Sequence, residues 1–155
     1  MPQLAGPMQI SAPRGAEDPA WLALRLALWP QSSREEHLAA MADALARGHY
    51  IRVALAADGT AAAFIEASRR HDYVNGTGSS PVGFLEGVFV VPRFRRRGVA
   101  RELVAGAAQW AARSGCSEFA SDALLDNAAA HALHRALGFE ETERVVYFRR
   151  WLAER

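Results

Sequence analysis

Apolar side chains recur along this chain with two different spacings, and the changes between them separate helices from strands. A spacing of three to four residues predicts helices over residues 19–29, 34–46, 98–113 and 126–137. Asp18 before Pro19 predicts a capped start for the first helix, and Ser33 with Glu36 forms a capping box before the second. Local sequence therefore indicates where the first two helices begin.

Shorter runs that are rich in apolar and β-branched residues predict strands. They cover residues 9–12, 50–56, 61–68, 83–91, 119–121 and 143–151. Residues 57–60, Ala-Asp-Gly-Thr, form a hairpin turn signal, whereas residues 69–82 are long and irregular. Because strands dominate the middle of the chain and a helix crosses between two of them, the order predicts an α/β (α+β) three-layer domain with a mixed sheet.

The composition is that of a single domain. Half of the 155 residues are hydrophobic, and we expect residues 1–8 to form a flexible tail and residues 9–155 the domain. The net charge of +1 argues against a nucleic-acid partner, and no apolar run reaches the roughly 18 residues of a membrane span. One cysteine, Cys116, and no recognisable signal peptide favour a cytoplasmic location. No cluster has metal-ligand spacing, so no metal is expected.

One segment carries the clearest chemical signal. Residues 88–91 continue an apolar strand, Pro92 ends it, an arginine-rich turn follows, and Gly98 opens a helix. The first amides of a helix lack partners and point together at its positive end, so this order predicts an anion cradle. The segment lacks both the P-loop lysine and the second glycine of a dinucleotide fingerprint. On these residues alone, a solvated basic turn or a nucleic-acid patch also remains open.

The spacing of Arg95, Gly98 and Ala100 resembles the acetyl-coenzyme A pyrophosphate loop of the GNAT acyltransferase superfamily. Asn127, followed by the Gly138-Phe139 pair, is similar to the superfamily's pantetheine-contacting helix. The resemblance implies a GNAT-like domain with a mixed, mainly antiparallel central sheet flanked by helices, and acetyl-CoA as cosubstrate. The cofactor-binding residues that it implies are Phe89, Val90, Val91, Arg95, Arg96, Arg97, Gly98, Val99, Ala100 and Asn127.

The same resemblance implies groups that act on the thioester. A backbone amide in the segment 89–91 is expected to polarise the thioester carbonyl. His134 stands where the superfamily often carries a tyrosine near the thiol. Either His134 donates a proton to the departing thiolate, or another group or water does, and the alternative is a helix histidine that faces solvent.

Several separated motifs look like the aminoglycoside 6'-N-acetyltransferases within that superfamily. They are residues 28–30, 70–76, 79–82, 84–87, 120–122 and 138–144. The resemblance implies that Trp29, Tyr73, Glu86 and Asp122 bind the sugar, and that Glu86 and Asp122 also handle the proton of the amine. An aminoglycoside is a polycation, so carboxylates and aromatic faces are the groups expected in its pocket.

The full set of candidate substrate-binding residues adds an acidic residue of the irregular segment and a histidine of the second helix. The set is Trp29, His37, Asp72, Tyr73, Glu86 and Asp122. Structural roles are open for several of them: Glu86 could pair with Arg69 or Arg101, Asp122 could cap a strand end, and Trp29 could belong to the core. A surface position is the alternative for the histidine.

These observations predict an N-acetyltransferase that moves acetyl from acetyl-CoA to an amine by direct attack in a ternary complex. The acceptor expected from the resemblance is the 6'-amine of aminoglycoside antibiotics, which would confer resistance. A polyamine, a peptide N-terminus or a protein lysine would suit the same acidic cleft, and a coenzyme A-binding module without turnover is the alternative from another class. The apolar strand at 143–151 predicts a homodimer, because a second subunit would cover its edge.

Overall fold

The elements follow one another in the order that the sequence predicts, with one exception near the C-terminus. The computed structural model describes residues 6–153. Its elements are β1 (Gln9–Ser11), α1 (Pro19–Leu28), α2 (Arg34–Ala46), β2 (Tyr50–Leu55), β3 (Ala61–Arg70), β4 (Val82–Val90), α3 (Val99–Arg113), β5 (Phe119–Ala120) and α4 (Ala128–Ala136), with a 3-10 turn at Pro92–Phe94 between β4 and α3.

The five strands form one sheet in the order β1-β2-β3-β4-β5. The first four pair antiparallel and β5 runs parallel to β4, which confirms the prediction of a mixed, mainly antiparallel sheet. The β4–β5 ladder spans only the pairs Gly83↔Phe119 and Phe84↔Ala120. Beyond Phe84, the β5 side of β4 has no strand partner among the described residues.

Helices cover both faces of the sheet. On one face, Trp21 of α1 and Met41 of α2 pack with Phe64 of β3, and all three side chains are fully buried. On the other face, α3 packs Leu103 and Ala107 against Ile65 and other small and branched residues. The flanking helices of the predicted three-layer arrangement are therefore present.

Capping side chains set the start of three helices. Asp18 accepts hydrogen bonds from the amides of Ala20 and Trp21, and Ser33 forms the predicted capping box with Glu36. At α4 the cap is Asn127, and the helix begins at Ala128, two residues later than its predicted start. The caps are local interactions, which is why the sequence predicts them closely.

A β-bulge in β4 changes the alternation of its side chains. Glu66 pairs with Gly87, and Ala67 pairs with Leu85, so that Glu86 is the extra residue. Glu86 bonds to Ser68, which shares its face of β3 with Glu66, while Gly87 lies under Trp29 at the end of α1. Two consecutive residues of β4 therefore face α1, and the sequence pattern does not indicate this.

The predicted strand over residues 143–151 is wrong. The segment after residue 139 has no helix or strand and pairs with no strand of the sheet. Its large apolar side chains are mostly exposed; they are Val145, Val146, Tyr147, Phe148, Trp151 and Leu152. An apolar, β-branched run becomes a strand only when it pairs with another strand, and residues 143–151 do not pair with the free side of β4 or with any other strand of the sheet.

Residues 1–5 of the predicted N-terminal tail lie outside the described residues, whereas Met8 packs against the core beside Val90. Within residues 6–153, no helix combines the length and the apolar character that a membrane span requires.

Candidate active site

The turn between β4 and α3 has the backbone shape of an anion cradle. Gly98 is the N-cap of α3 with φ +79°, and Arg96 also lies in the left-handed region with φ +64°. A side chain at Gly98 would meet no atom within 4 Å, so the glycine is required by its backbone angle and not by lack of space. The free amides at the start of this 15-residue helix and three neighbouring guanidinium groups give the turn positive character.

Arg95 joins this turn to the unpaired edge of β4. Its Nε donates a hydrogen bond to the Val90 carbonyl at 2.8 Å. The Val91 amide donates to the Ala62 carbonyl on the β3 side, also at 2.8 Å. Because backbone groups alternate along a strand, the Val90 amide points to the opposite side, where no described strand pairs with β4. That amide is available to a carbonyl oxygen, and it lies within the predicted segment 89–91.

Asn127, the N-cap of α4, and His134, within α4, differ in how many of their polar atoms are hydrogen-bonded to the protein. Asn127 Oδ1 accepts a hydrogen bond from the Ala130 amide at 3.0 Å, which leaves its amide nitrogen for a ligand. His134 Nδ1 lies 2.6 Å from the Ala130 carbonyl and Nε2 lies 2.7 Å from Ser121 Oγ. A carbonyl only accepts, so the neutral ring carries its proton on Nδ1 and accepts from Ser121. Only the imidazolium form has a proton on Nε2.

A cavity of about 250 Å³ lies between α1, α2 and the bulge of β4. Its lining includes Trp29, Glu66 and Glu86, and it also contains Asp43 and His49. Glu86 accepts a hydrogen bond from Ser68 Oγ at 2.5 Å and pairs with Arg70 at 2.9 Å. Glu86 therefore forms its ion pair with Arg70, and not with Arg69 or Arg101, the two partners that the sequence suggested.

Trp29 belongs to the core and also lines the cavity, so its core position does not conflict with the predicted contact to the sugar. Its ring packs edge-on against the buried Phe64, with 6.0 Å between ring centroids, and it also lines the cavity beside Glu86. It is the C-terminal capping residue of α1, where Arg25 places its guanidinium carbon 4.7 Å from the ring centroid. The indole is thus held by the core and presents a face to the cavity.

His37 does not line the cavity. The side chain is 1% exposed and both ring nitrogens contact protein atoms, Nδ1 with Arg25 and Nε2 with the Trp29 carbonyl. It is neither the surface histidine nor the substrate contact of the sequence analysis. Sequence reasoning also missed Arg25 and Glu66; the signal for Glu66 is a carboxylate inside the otherwise apolar run of β3.

The remaining acidic and aromatic candidates lie on loops that follow strands. Asp72 and Tyr73 follow β3 and are exposed, with Tyr73 at 76%. Asp122 is exposed two residues beyond β5, and among residues 6–153 it has no hydrogen bond or ion pair. Since Ala120 pairs with Phe84, the register of the parallel ladder brings the chain at Asp122 level with Glu86. Within the described residues, no group of His, Cys, Asp and Glu could hold a metal ion.

Comparison with known proteins gives one consistent result. Residues 19–139 match the model of the acetyltransferase (GNAT) family. The chain is 52% identical over 134 residues to an aminoglycoside N(6')-acetyltransferase type 1 of Serratia marcescens, covering 86% of this chain and 92% of that protein.

Solved structures agree with that match. The aminoglycoside antibiotic 6'-N-acetyltransferase AAC(6')-Ih from Acinetobacter baumannii superposes with a TM-score of 0.89 at 46% identity, covering 95% of this chain and all of that one. AAC(6')-Iy, in complex with the bisubstrate analogue CoA-S-monomethyl-acetylneamine, gives a TM-score of 0.84 at 46% identity and covers 94% of this chain and 99% of that chain. The strand, cradle and helix order described above, together with these matches, shows that the chain belongs to the GNAT family of acetyltransferases.

Proposed function

We propose that this protein transfers the acetyl group of acetyl-CoA to the 6'-amine of aminoglycoside antibiotics and so confers resistance to them. The observation that carries the proposal is that one strand, β4, joins the two halves of such a site. Its end leads through residues 89–91 into the anion cradle, and its bulge at Glu86 forms the floor of an acidic cavity with an aromatic wall. The aminoglycoside acetyltransferases that resemble the chain over most of its length support the acceptor.

The donor half fits acetyl-CoA. The amides of Gly98, Val99 and Ala100 and the guanidinium groups of residues 95–97 bind the pyrophosphate, because a helix N-terminus favours a multiply charged anion. The amide nitrogen of Asn127 is left over from helix capping and reaches the pantetheine arm. The Val90 amide, on the unpaired edge of β4, donates to the thioester carbonyl and stabilises the charge that develops there.

The acceptor half fits a polycationic sugar. Glu86 and Asp122 lie level with each other on β4 and after β5, and they bind ammonium groups through charge-assisted hydrogen bonds. Trp29 and the exposed Tyr73 give faces for sugar rings and cations, and Asp72 adds a carboxylate on the same loop as Tyr73. Glu86, now paired with Arg70, exchanges that partner for the substrate ammonium.

The reaction needs a neutral amine. Deprotonating a simple amine of pKa about 10.4 costs roughly 4–5 kcal/mol at pH 7, so Glu86 or Asp122, directly or through water, takes the proton. The nitrogen then attacks the thioester carbonyl carbon, the C–N bond forms, the C–S bond breaks, and the nitrogen releases its second proton to water. The imidazolium of His134, or water, returns a proton to the thiolate. Holding both reactants together supplies much of the rate enhancement.

The active protein is a homodimer in which a second copy covers the C-terminal segment, residues 143–151. Phe148 is 91% exposed and Tyr147 78% exposed, on an extended segment next to further apolar residues. Patches of this kind on a soluble chain mark interfaces, and a two-fold contact covers both copies at once. Light scattering should report a dimer for the full chain, and Tyr147→Asp with Phe148→Asp should shift it to monomer. A wild-type monomer at assay concentration would contradict this arrangement.

The location proposed is the cytoplasm, where acetyl-CoA is available and where a free, buried Cys116 thiol stays reduced. Cell fractionation tests the location.

The test of the activity is thiol release from acetyl-CoA with matched acceptors. Aminoglycosides that carry a 6'-amine should be acetylated, and analogues with a 6'-hydroxyl should not be. Polyamines, a peptide with a free N-terminus and a lysine peptide are included as competing acceptors. A preference for any of them over the 6'-amino sugars would overturn the acceptor, and coenzyme A binding without transfer would overturn the enzyme.

A further inference from the structure

A chain of buried polar contacts runs beneath the acidic cavity. Trp21 Nε1 donates to Glu66 Oε2 at 3.0 Å, and Arg25 forms an ion pair with the same oxygen. Arg25 Nε lies 3.2 Å from His37 Nδ1, and His37 Nε2 lies 3.0 Å from the Trp29 carbonyl. The charged and titratable members are at most 8% exposed. We call Arg25, His37 and Glu66 the buried network.

The neighbours of His37 determine its protonation. A guanidinium nitrogen only donates and a carbonyl oxygen only accepts, so Nδ1 accepts from Arg25 and Nε2 donates to Trp29. The ring is therefore neutral, and its single proton lies on the side of Trp29. The positive charge of Arg25 cancels the negative charge of Glu66, so the buried network has no net charge. Attraction for a cationic sugar therefore comes from other carboxylates of the cavity, such as Glu86.

Two members of the buried network, together with the backbone of β4, hold Trp29 in place. His37 bonds to its backbone carbonyl and lies parallel to its ring, with 6.5 Å between centroids and an interplanar angle of 19°. Arg25 approaches the ring at 4.7 Å, and the edge of the indole contacts the backbone at Gly87. The Trp29 carbonyl also accepts a hydrogen bond from the Ser32 amide at 3.3 Å, in the turn that follows α1. The position of the indole beside Glu86 therefore depends on the buried network, in which His37 is the member that does not line the cavity.

We propose that His37 is a positioning residue for the acceptor: through the buried network it fixes the orientation of the Trp29 indole, and so sets the affinity for the cationic sugar. The proposal rests on the proposed function, because it takes the cavity at Glu86 as the acceptor site. It assigns no proton transfer to His37. Its effect falls on acceptor binding and leaves acetyl-CoA binding unchanged.

The experiment compares variants of the full-length protein. His37→Phe keeps a ring but loses both hydrogen bonds, and His37→Gln keeps an amide that can donate to the Trp29 carbonyl. Met41→Leu is the matched control, because Met41 is fully buried one turn later on α2 and does not line the cavity. Each variant is also made in a Trp29→Ala background, and melting temperatures confirm folding.

For a 6'-amino aminoglycoside such as neamine, KM should rise about fivefold or more in His37→Phe, with a smaller rise in His37→Gln and none in Met41→Leu. The KM for acetyl-CoA should stay within about twofold. In the Trp29→Ala background, His37→Phe should add less than about twofold, because the group through which it acts is gone.

The outcomes separate the two proposals. If the wild-type protein acetylates no 6'-amine, the proposed function fails. If it does, and His37→Phe is folded with an unchanged aminoglycoside KM, the positioning role is overturned. An equal fivefold effect in both backgrounds also overturns it, because His37 would then act independently of Trp29. The milder His37→Gln supplies the same comparison if His37→Phe does not fold.

Discussion

The indole of Trp29 lies directly on the backbone of Gly87. A Cβ built at Gly87 would fall 2.6 Å from both Cζ2 and Cη2 of the ring, closer than real side chains approach. The ring is fixed on its other sides by Phe64 and the buried network, so it has little room to yield. A glycine at this point of β4 is what allows an aromatic wall next to Glu86.

The contact predicts that Gly87→Ala displaces the indole. We expect a loss of unfolding free energy of about 1–3 kcal/mol from overpacking, and a raised KM for the aminoglycoside. Gly15→Ala is the control, because no atom lies within 4 Å of a Cβ at Gly15 and its backbone has no positive φ. Denaturant unfolding and steady-state kinetics measure both effects. Equal stability and KM in Gly87→Ala and wild type would contradict the contact.

The anion cradle predicts that Gly98→Asp weakens acetyl-CoA binding at least about tenfold, or about 1.4 kcal/mol, since it brings a negative charge to the pyrophosphate. Gly98→Ala separates the effect of the added charge from the effect of the left-handed backbone angle. No atom lies within 4 Å of the added methyl group, so any loss of acetyl-CoA affinity in Gly98→Ala comes from the strained φ alone. Calorimetric titration with acetyl-CoA is the measurement, and a folded Gly98→Asp with unchanged affinity would remove the cradle from the coenzyme site.

The acidic cavity predicts a selective effect of removing charge. Glu86→Gln and Asp122→Asn should lower kcat/KM for the aminoglycoside by about tenfold or more, while the affinity for acetyl-CoA is retained. Glu35→Gln is the matched control, because Glu35 is an exposed carboxylate of α2 that does not line the cavity. If both Glu86→Gln and Asp122→Asn keep the wild-type kcat/KM, the acceptor site lies elsewhere.

The hydrogen bonds of His134 predict the direction of a pH effect. The neutral ring has its only N–H bonded to the Ala130 carbonyl, so a proton can reach the thiolate only from the imidazolium. If the imidazolium of His134 is the acid, kcat should fall with rising pH, and His134→Ala should abolish that fall. The pH–rate profile is the measurement. An identical profile in His134→Ala assigns the proton to water or another group.

Glu118 predicts an acid-sensitive loop. The Ser79 hydroxyl, and after it the Gly78 amide, hold the pKa of Glu118 below its usual 4.5. A lowered folded pKa means that the contact stabilises the folded loop above that value and is lost as the pH falls through the lowered pKa. The protection factor of the Gly78 amide in hydrogen exchange should therefore drop on acidification. In Glu118→Gln it should be lower throughout and should not change with pH in this range.

Helix caps and turns were predictable from the sequence, because the residues that form them are close together along the chain. Asp18 and Ser33 cap helices because their side chains bond to amides two or three residues away, and Gly98 marks a left-handed turn for a similarly local reason. The bulge at Glu86 was not predictable, because it depends on the register between two strands. The same holds for His37, whose partners lie on α1.

The strand predicted at 143–151 fails for a related reason. Its composition favours β structure, but a strand also needs a pairing partner, and residues 143–151 pair with no strand of the sheet. In contrast, the grouping of Trp29 with Glu86 was recovered from separated motifs, because the resemblance carried long-range information that periodicity lacks. Periodicity alone would have assigned Trp29 to the core, which is only half of its role.

The bulge in β4 lies close to the end of the same strand, and this limits which residues of the enzyme can change during evolution. Glu86, which we propose faces the sugar, and the Val90 amide, which we propose faces the thioester, lie on the same strand, so we expect substitutions in β4 that alter the choice of antibiotic also to disturb acetyl transfer. Asp72 and Tyr73 belong to an exposed loop that is free of that restriction. New resistance spectra should therefore arise by changes in this loop, with β4 kept constant.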